Sequence, residues 1–327
     1  MSLSDAFYVG LCVFIAVVSL RVLRSGPERA AWRRVVGSVS GLGSMSLLAV
    51  FLLIGLADSV HLAQTAGSGQ GASILDELLR FVSDRGDPST NPVAAIMLEQ
   101  SFKGVRSAWL VGLAGLVAWL PLTILAGVYA GLAGGLPGRG GAAACAVFDA
   151  IPTVLLLVVL VFVAQPLIAV VAEHFPGPTS ASEARLLVIC AILGFVRTPA
   201  LCRQVQARTA RFMASDAVAA ARCVGVSDAQ LVRTRLLPEI VALALMALAT
   251  AFPVLILVEA LLSYLGMGLD PVTRSLGTVL SDALALAATE PGGGDVLLAA
   301  LVPLGLMVAA ASLFAFSVHA AFGRARR

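Results

Sequence analysis

The sequence predicts an all-α polytopic membrane protein, and three observations carry that prediction. Of its 327 residues, 59% are hydrophobic and only 13% are charged; soluble domains average roughly 25% charged. Several apolar runs reach the ~20 residues that a helix needs to cross a bilayer. When these runs are threaded in order, the arginine clusters fall on one side, as cytoplasmic loops require. No stretch is left over for a soluble domain of useful size. The small net charge, +3 with histidine neutral, says little about ligands.

Phe7 to Leu23 is the first run. Its basic residues, Arg21 and Arg24, come at its end rather than before it, which argues against a signal peptide. The N-terminus is therefore expected outside. Arg21, Arg24, Arg29, Arg33 and Arg34 make the next loop cytoplasmic. Val39 to Leu56 is the second span. Ala57 to Arg106 reads as a long outer connection with no sustained apolar run. Within it, Ser73 to Val82 has helical periodicity, with Ser73 and Asp76 as a candidate N-terminal cap and Ile74, Leu75, Leu78, Leu79 and Val82 on one face. This helix is expected on the outer surface of the domain.

Ala108 to Leu132 is the third span, with Pro121 inside it. Gly134 to Gly141 reads as a Gly-rich turn. It lacks the Lys-Ser/Thr pair of a phosphate-binding loop. Phe148 to Val171 is the fourth span, Leu186 to Leu201 the fifth, Ile240 to Leu265 the sixth and Val296 to Val318 the seventh. Gly266 to Asp295 reads as an outer loop, and Arg324, Arg326 and Arg327 hold the C-terminus inside.

Between the fifth and sixth spans lies Asp216 to Pro238, DAVAAARCVGVSDAQLVRTRLLP, a stretch too polar for lipid. Asp216 suits a first-turn position and Ala217 to Ala221 is strong helix former. Gly225 is placed to end that helix, and Ser227 or Asp228 to cap the next. Pro238 stands at the start of the following apolar run, where a missing N–H costs little. The expected product is a helix, a Gly turn and a second helix between two spans.

This pattern resembles the cytoplasmic loop of permease subunits of binding-protein-dependent ABC importers, whose motif is Glu-Ala-Ala, three residues, Gly, nine residues, Ile-x-Leu-Pro. Ala220 and Ala221 match the alanines, Gly225 follows three residues later, and Leu237-Pro238 closes the motif. Ala219 stands in place of the Glu and Arg235 in place of the Ile. The plain alternative is a basic loop that meets only lipid headgroups. The resemblance extends from about Thr90 to the C-terminus. Asp149-Ala150-Ile151-Pro152 is similar to the family's Asp-x-x-x-Ile-Pro segment. Arg197-Thr198-Pro199 and Arg203 occupy the place of Trp-Pro-x-x-Ala-Arg. Val258-Glu259-Ala260-Leu261-Leu262-Ser263-Tyr264-Leu265-Gly266-Met267-Gly268 resembles a run found in the dipeptide, oligopeptide and nickel permeases, particularly the second of the two permeases. Two outer features depart: the Gly-Arg-Asp expected after Thr90 is missing, and Ser275-Leu276-Gly277 replaces Ser-Trp-Gly.

The resemblance implies a type I ABC importer transmembrane domain, a six-helix core to which this chain adds one N-terminal span. Residues 1–37 are then the extra span and its basic loop, 38–106 the first core span and the large outer loop, and 107–327 the permease module with the coupling elbow at 216–238. It implies a non-catalytic subunit in a bacterial cytoplasmic membrane, carrying peptides or similar small solutes. Its implied partners are a second homologous permease, two ATP-binding subunits, an extracytoplasmic solute-binding protein and the lipid bilayer. Asp216, Ala220, Ala221, Gly225, Leu237 and Pro238 would contact the ATPase.

The residues themselves show no nucleophile elbow, no paired carboxylates and no Walker motif. No cofactor, metal site or nucleic-acid partner is expected. The five cysteines have no metal-ligand spacing and read as small apolar residues. Glu259 is the one carboxylate well inside an apolar span, which makes it a pathway candidate. The alternative is a structural hydrogen bond, with Ser263 one turn away. Two functional alternatives stay open: a secondary transporter, which should show inverted repeats and ion-site acids, or an importer of nickel or metal chelates.

Overall fold

The computed structural model describes residues 5–13, 15, 26–59, 73–83, 92–133, 135–173, 180–269, 273–289 and 292–324. Every regular element among them is helical. Helix α1 covers 5–13. It is followed by α2 (Gly26–Gly37), α3 (Val39–Ser59), α4 (Ile74–Ser83), α5 (Pro92–Trp109), α6 (Gly115–Ala133), α7 (Gly135–Ala150), α8 (Thr153–Val163) and α9 (Gln165–Glu173). Then come α10 (Ser180–Met213), α11 (Asp216–Cys223), α12 (Asp228–Leu231), α13 (Leu237–Tyr264), α14 (Leu276–Ala287) and α15 (Gly293–Arg324). Among the described residues, five helices are long and apolar enough to cross a membrane, or six if α7 and α8 count as one bent span. Of the expected first span, Phe7 to Leu23, residues 14 and 16–23 lie outside the described residues.

The helices are longer than their apolar runs. Pro92 to Ala133 is one helix interrupted only by a π turn at Leu110–Ala114. Its first half occupies the expected polar connection. It stays helical because its polar side chains have partners: Ser101 donates to Met97 O at 2.9 Å, and Lys103 pairs with Asp76 at 2.7 Å and Glu99 at 2.8 Å. Arg106 pairs with Asp5 at 2.5 Å and Asp58 at 3.5 Å, and the Tyr8 hydroxyl donates to Leu52 O at 3.0 Å. These contacts fasten α1 to α3 and α5.

Three further expectations need correction. The stretch 135–141 is not a turn but the start of α7. Glycine weakens a helix interior by roughly 1 kcal/mol per residue, and here packing against α6 and α10 overrides that preference, helped by the Arg203–Asp149 ion pair at 2.5 Å. The fourth span is broken. Gly140–Ala150 and Thr153–Val163 meet at 95°. Pro152 supplies the reason, since proline disfavours helical geometry at the preceding residue and cannot donate to the ladder. Finally, the expected outer loop after Gly266 contains α14.

The core is built on α6, α10, α13 and α15. Helices α6 and α10 approach so closely that a Cβ on Gly115 would collide with Cys190 O, and one on Gly194 with the Gly115 backbone. Small residues of this kind let membrane helices gain van der Waals contact that lipid would otherwise provide. Trp109 stacks on Phe252 with centroids 4.8 Å apart. Leu255, Ile256, Met307 and Ala311 are fully buried around them.

Candidate functional site

The elbow is built by two helix ends. Ser215 has extended backbone angles, and its hydroxyl donates to Phe212 O at 2.6 Å, so it does not cap α11 with its side chain. Asp216 takes the first helical position, where the positive end of the helix favours a carboxylate. Within α11, Val218 is buried and anchors the helix, whereas Ala217, Ala219 and Ala220 are exposed. Ala221 is half-buried.

Gly225 ends α11 at φ +87°. Val226 N–H donates to Ala221 O at 3.1 Å and Gly225 N–H to Arg222 O at 3.0 Å. This bond pair is the Schellman closure, which requires a left-handed residue at the position of Gly225. Ser227 then caps α12, accepting from Gln230 N–H at 3.4 Å. Across the turn, Arg222 Nε and Nη2 donate to the two carboxylate oxygens of Asp228 at 2.8 and 3.1 Å. Val224 sits at the tip, 84% exposed.

The second arm is not a free helix. α12 runs through a π turn at Val232–Leu236 into α13, so that Asp228 to Tyr264 is one continuous helix. Pro238 interrupts the ladder because it has no N–H to give, and the wider turn comes immediately before it. Leu231, Leu236 and Ile240 are buried, while Leu237 and Pro238 are exposed. The structure thus brings Asp216, Ala220, Ala221 and Gly225 together at the elbow. Leu237 and Pro238 lie at the base of α13.

Glu259 is elsewhere, roughly 33 Å further along α13 from Leu237 at 1.5 Å per residue. Its side chain is fully buried. Ser263 donates to its Oε1 at 2.7 Å, and Oε2 has no hydrogen-bond partner among the described residues. Ser263 Oγ also accepts from Leu269 N–H at 3.4 Å and from Ser275 Oγ at 3.4 Å. Gly266, at φ +73°, closes α13 with a second Schellman pair: Met267 N–H to Leu262 O at 2.9 Å and Gly266 N–H to Ser263 O at 3.0 Å. Ser275 and Thr278 then form a reciprocal capping box on α14. The Ser275-Leu276-Gly277 turn is wedged between helices: a Cβ on Gly277 would meet Ala260 Cα at 2.5 Å, and one on Gly104 would meet Leu276 N at 2.8 Å. The run from Glu259 to Gly268 is therefore a helix end with a carboxyl sealed beneath a folded-back loop.

A cavity of about 550 Å³ opens between α6, α10, α13 and α15. Trp119, Arg197, Thr198, Gln204, Thr250 and His319 give it polar groups, and Glu259 does not line it. Sequence reasoning did not place these residues together, because they come from four helices far apart in the chain.

The family of binding-protein-dependent transport system inner membrane components matches residues 123–327. The chain belongs to this family. The matched region holds the elbow, the Glu259 site and most of the cavity wall, whose Leu116, Trp119 and Leu120 come just before it. Among curated relatives, the oligopeptide transport system permease protein OppC of Mycobacterium tuberculosis is 28% identical over 202 residues, covering 62% of this chain and 64% of that protein. The di/tripeptide transport system permease protein DppC of Pseudomonas aeruginosa is 29% identical over 197 residues, covering 59% of this chain and 58% of that protein. A putative peptide transport system permease of Brucella suis is 36% identical over 83 residues, covering 25% of this chain and 28% of that protein. The chain thus spans somewhat under two thirds of the length of the mycobacterial and Pseudomonas permeases. Family membership and the all-α, multi-pass fold agree with the sequence-based expectation. Helices α1 to α5, with the π turn at Leu110–Ala114, precede the matched region.

Proposed function

We propose that this chain is one transmembrane half of an ATP-driven importer for peptides or similar small solutes. A second, homologous permease would complete the pathway. Two ATP-binding subunits would dock at the elbow, and a solute-binding protein would deliver cargo at the opposite face. The chain itself would perform no covalent chemistry. It would convert closure of the ATPase pair into a change of access between the two permeases, as a rigid-body transition.

The observation that supports this reading best is the build of the elbow. Its tip presents Ala220, Val224 and Ala229 to solvent, small side chains that a partner cleft can approach closely. Its two arms are stiff. One joins α10 through only Ala214 and Ser215, and the other, α12, runs through the π turn into α13 as one continuous helix. A push on Val224 therefore reaches two long core helices without an intervening flexible linker. The peptide relatives support the cargo class. The test is reconstitution of the chain with its neighbouring permease and ATPase gene products in liposomes. ATP-dependent uptake of ligands identified by mass spectrometry on the cognate binding protein is expected. Uptake driven by an ion gradient without ATP would overturn the reading, and a metal chelate on the binding protein would change the cargo class.

A further inference from the structure

Arg197 projects from α10 into the 550 Å³ cavity and is half-buried there. Two other arginines of the same helix have acidic partners: Arg203 with Asp149 at 2.5 Å and Arg208 with Glu239 at 2.6 Å. Among the described residues Arg197 has none, and no carboxylate lines the cavity. An uncompensated guanidinium inside an apolar bundle is costly unless water or an anion meets it. Other polar groups line the same cavity: the Thr198 hydroxyl, the Gln204 amide and the Thr250–His319 pair, whose Oγ1 and Nε2 are 3.0 Å apart.

We propose that Arg197 makes this cavity a binding station for the free carboxylate of a peptide-like solute in transit. The proposal rests on the importer reading above and names the chemical feature of the cargo that the membrane half would recognise. A planar guanidinium offers two parallel N–H donors that match a carboxylate. The cavity has the size of small-ligand sites, which run from about 300 to 1,000 Å³. It also leads somewhere. A second groove of about 460 Å³, lined by Arg203, Arg208 and Arg211, adjoins it through Ala200, Gln204 and Leu243. Positions 197, 204, 208 and 211 fall on one face of α10 by helical periodicity. Along that route Arg203 and Arg208 are paired with acids, so an anion held at Arg197 would face Arg211, toward the elbow end of the helix, as the next guanidinium without an acidic partner among the described residues. A lipid phosphate offers the same oxyanion chemistry, so the test must separate the two sources.

The first arm needs no transport. In the full-length chain with its cysteines replaced, Ala247→Cys places a thiol in the cavity wall. Anionic and cationic methanethiosulfonates of similar size are then compared. Focused positive potential should favour the anionic reagent by about tenfold or more. Arg197→Gln should abolish that preference and Arg197→Lys should keep it. Trialanine should slow the labelling, whereas its C-terminal amide should not. A reagent preference unchanged by Arg197→Gln, equal protection by acid and amide, or protection by short-chain phosphatidylglycerol alone would each overturn the proposal. The second arm uses the assembled importer in liposomes. The free-acid peptide should be taken up about tenfold faster than the amide, and Arg197→Gln should bring the two together. If the wild-type assembly takes up neither peptide, the importer reading fails, and the labelling result still decides the anion site.

Discussion

Arg222 grips Asp228 with two parallel hydrogen bonds, at 2.8 and 3.1 Å, across the left-handed turn at Gly225. Both side chains are about half exposed, so the pair is open to screening by salt. Its value lies in fixing the angle between α11 and α12, which continues into α13. Arg222→Ala should loosen that angle and lower substrate-stimulated ATP hydrolysis severalfold while leaving membrane insertion intact. A charge-reversed double variant, Arg222→Asp with Asp228→Arg, should recover part of the loss at low salt and little at high salt. Full activity in Arg222→Ala would show that the pair has no part in coupling.

Glu259 sits beneath the Ser275 turn, away from the cavity. Glu259→Gln keeps an acceptor for Ser263 and changes volume little. It should leave both assembly and peptide uptake near wild type. Ser263→Ala, by contrast, removes the partner of a buried carboxyl, a change that costs about 1–3 kcal/mol. Its unfolding midpoint in detergent should fall. Lost uptake in a well-assembled Glu259→Gln variant would put this carboxyl back on the pathway.

The short helix α4 is held by charges. Burial raises the Asp76 carboxyl, but hydrogen bonds from Lys103 and Ser73, together with the Lys103 charge, outweigh burial and leave it below its ordinary range. A carboxyl lowered in the folded state stabilises fully above its unfolded value, about 3.9. That stabilisation is lost as the pH falls through the lower folded value. Amide protection factors in α4, taken relative to the intrinsic exchange rate at each pH, should therefore fall below about pH 4 more than those in α13. In Asp76→Asn the extra acid sensitivity should vanish. An α4 whose protection is flat from pH 6 to the acid limit would refute this account.

What the sequence disclosed follows the reach of each interaction. Gly225 and Ser227 were readable because a Schellman turn and an N-cap are settled within a few residues, and so was the Ser73–Asp76 cap. The Glu259–Ser263 bond was readable as one helical turn. The extent of α5 was not, because Lys103 and Arg106 are held by Asp76, Asp58 and Asp5, residues far along the chain. The Gly-rich start of α7 was misread because local propensity favours a turn and only packing on α6 and α10 makes it helical. The cap on α14 left a local trace, Ser275-x-x-Thr278, that could have revealed the helix. Arg197 lacked any such trace. Its significance depends on which acids stand near it, and that is fixed only by the fold.

Most direct for the central claim is co-purification of the ATPase subunits with Gly225→Asp and Ala221→Glu permeases, read together with substrate-stimulated ATP hydrolysis in liposomes. Gly225 sits at φ +87°, where a side chain costs roughly 1–2 kcal/mol, so Gly225→Asp should distort the turn. Ala221 is half-buried at the elbow, and a Glu there puts a bulky charge into a close contact. Neither change touches a membrane span, so both variants should insert normally. The account predicts that both lose most of the bound ATPase and most of the stimulated hydrolysis. Wild-type levels of both in either variant would mean that the elbow only connects α10 to α13, and would contradict it.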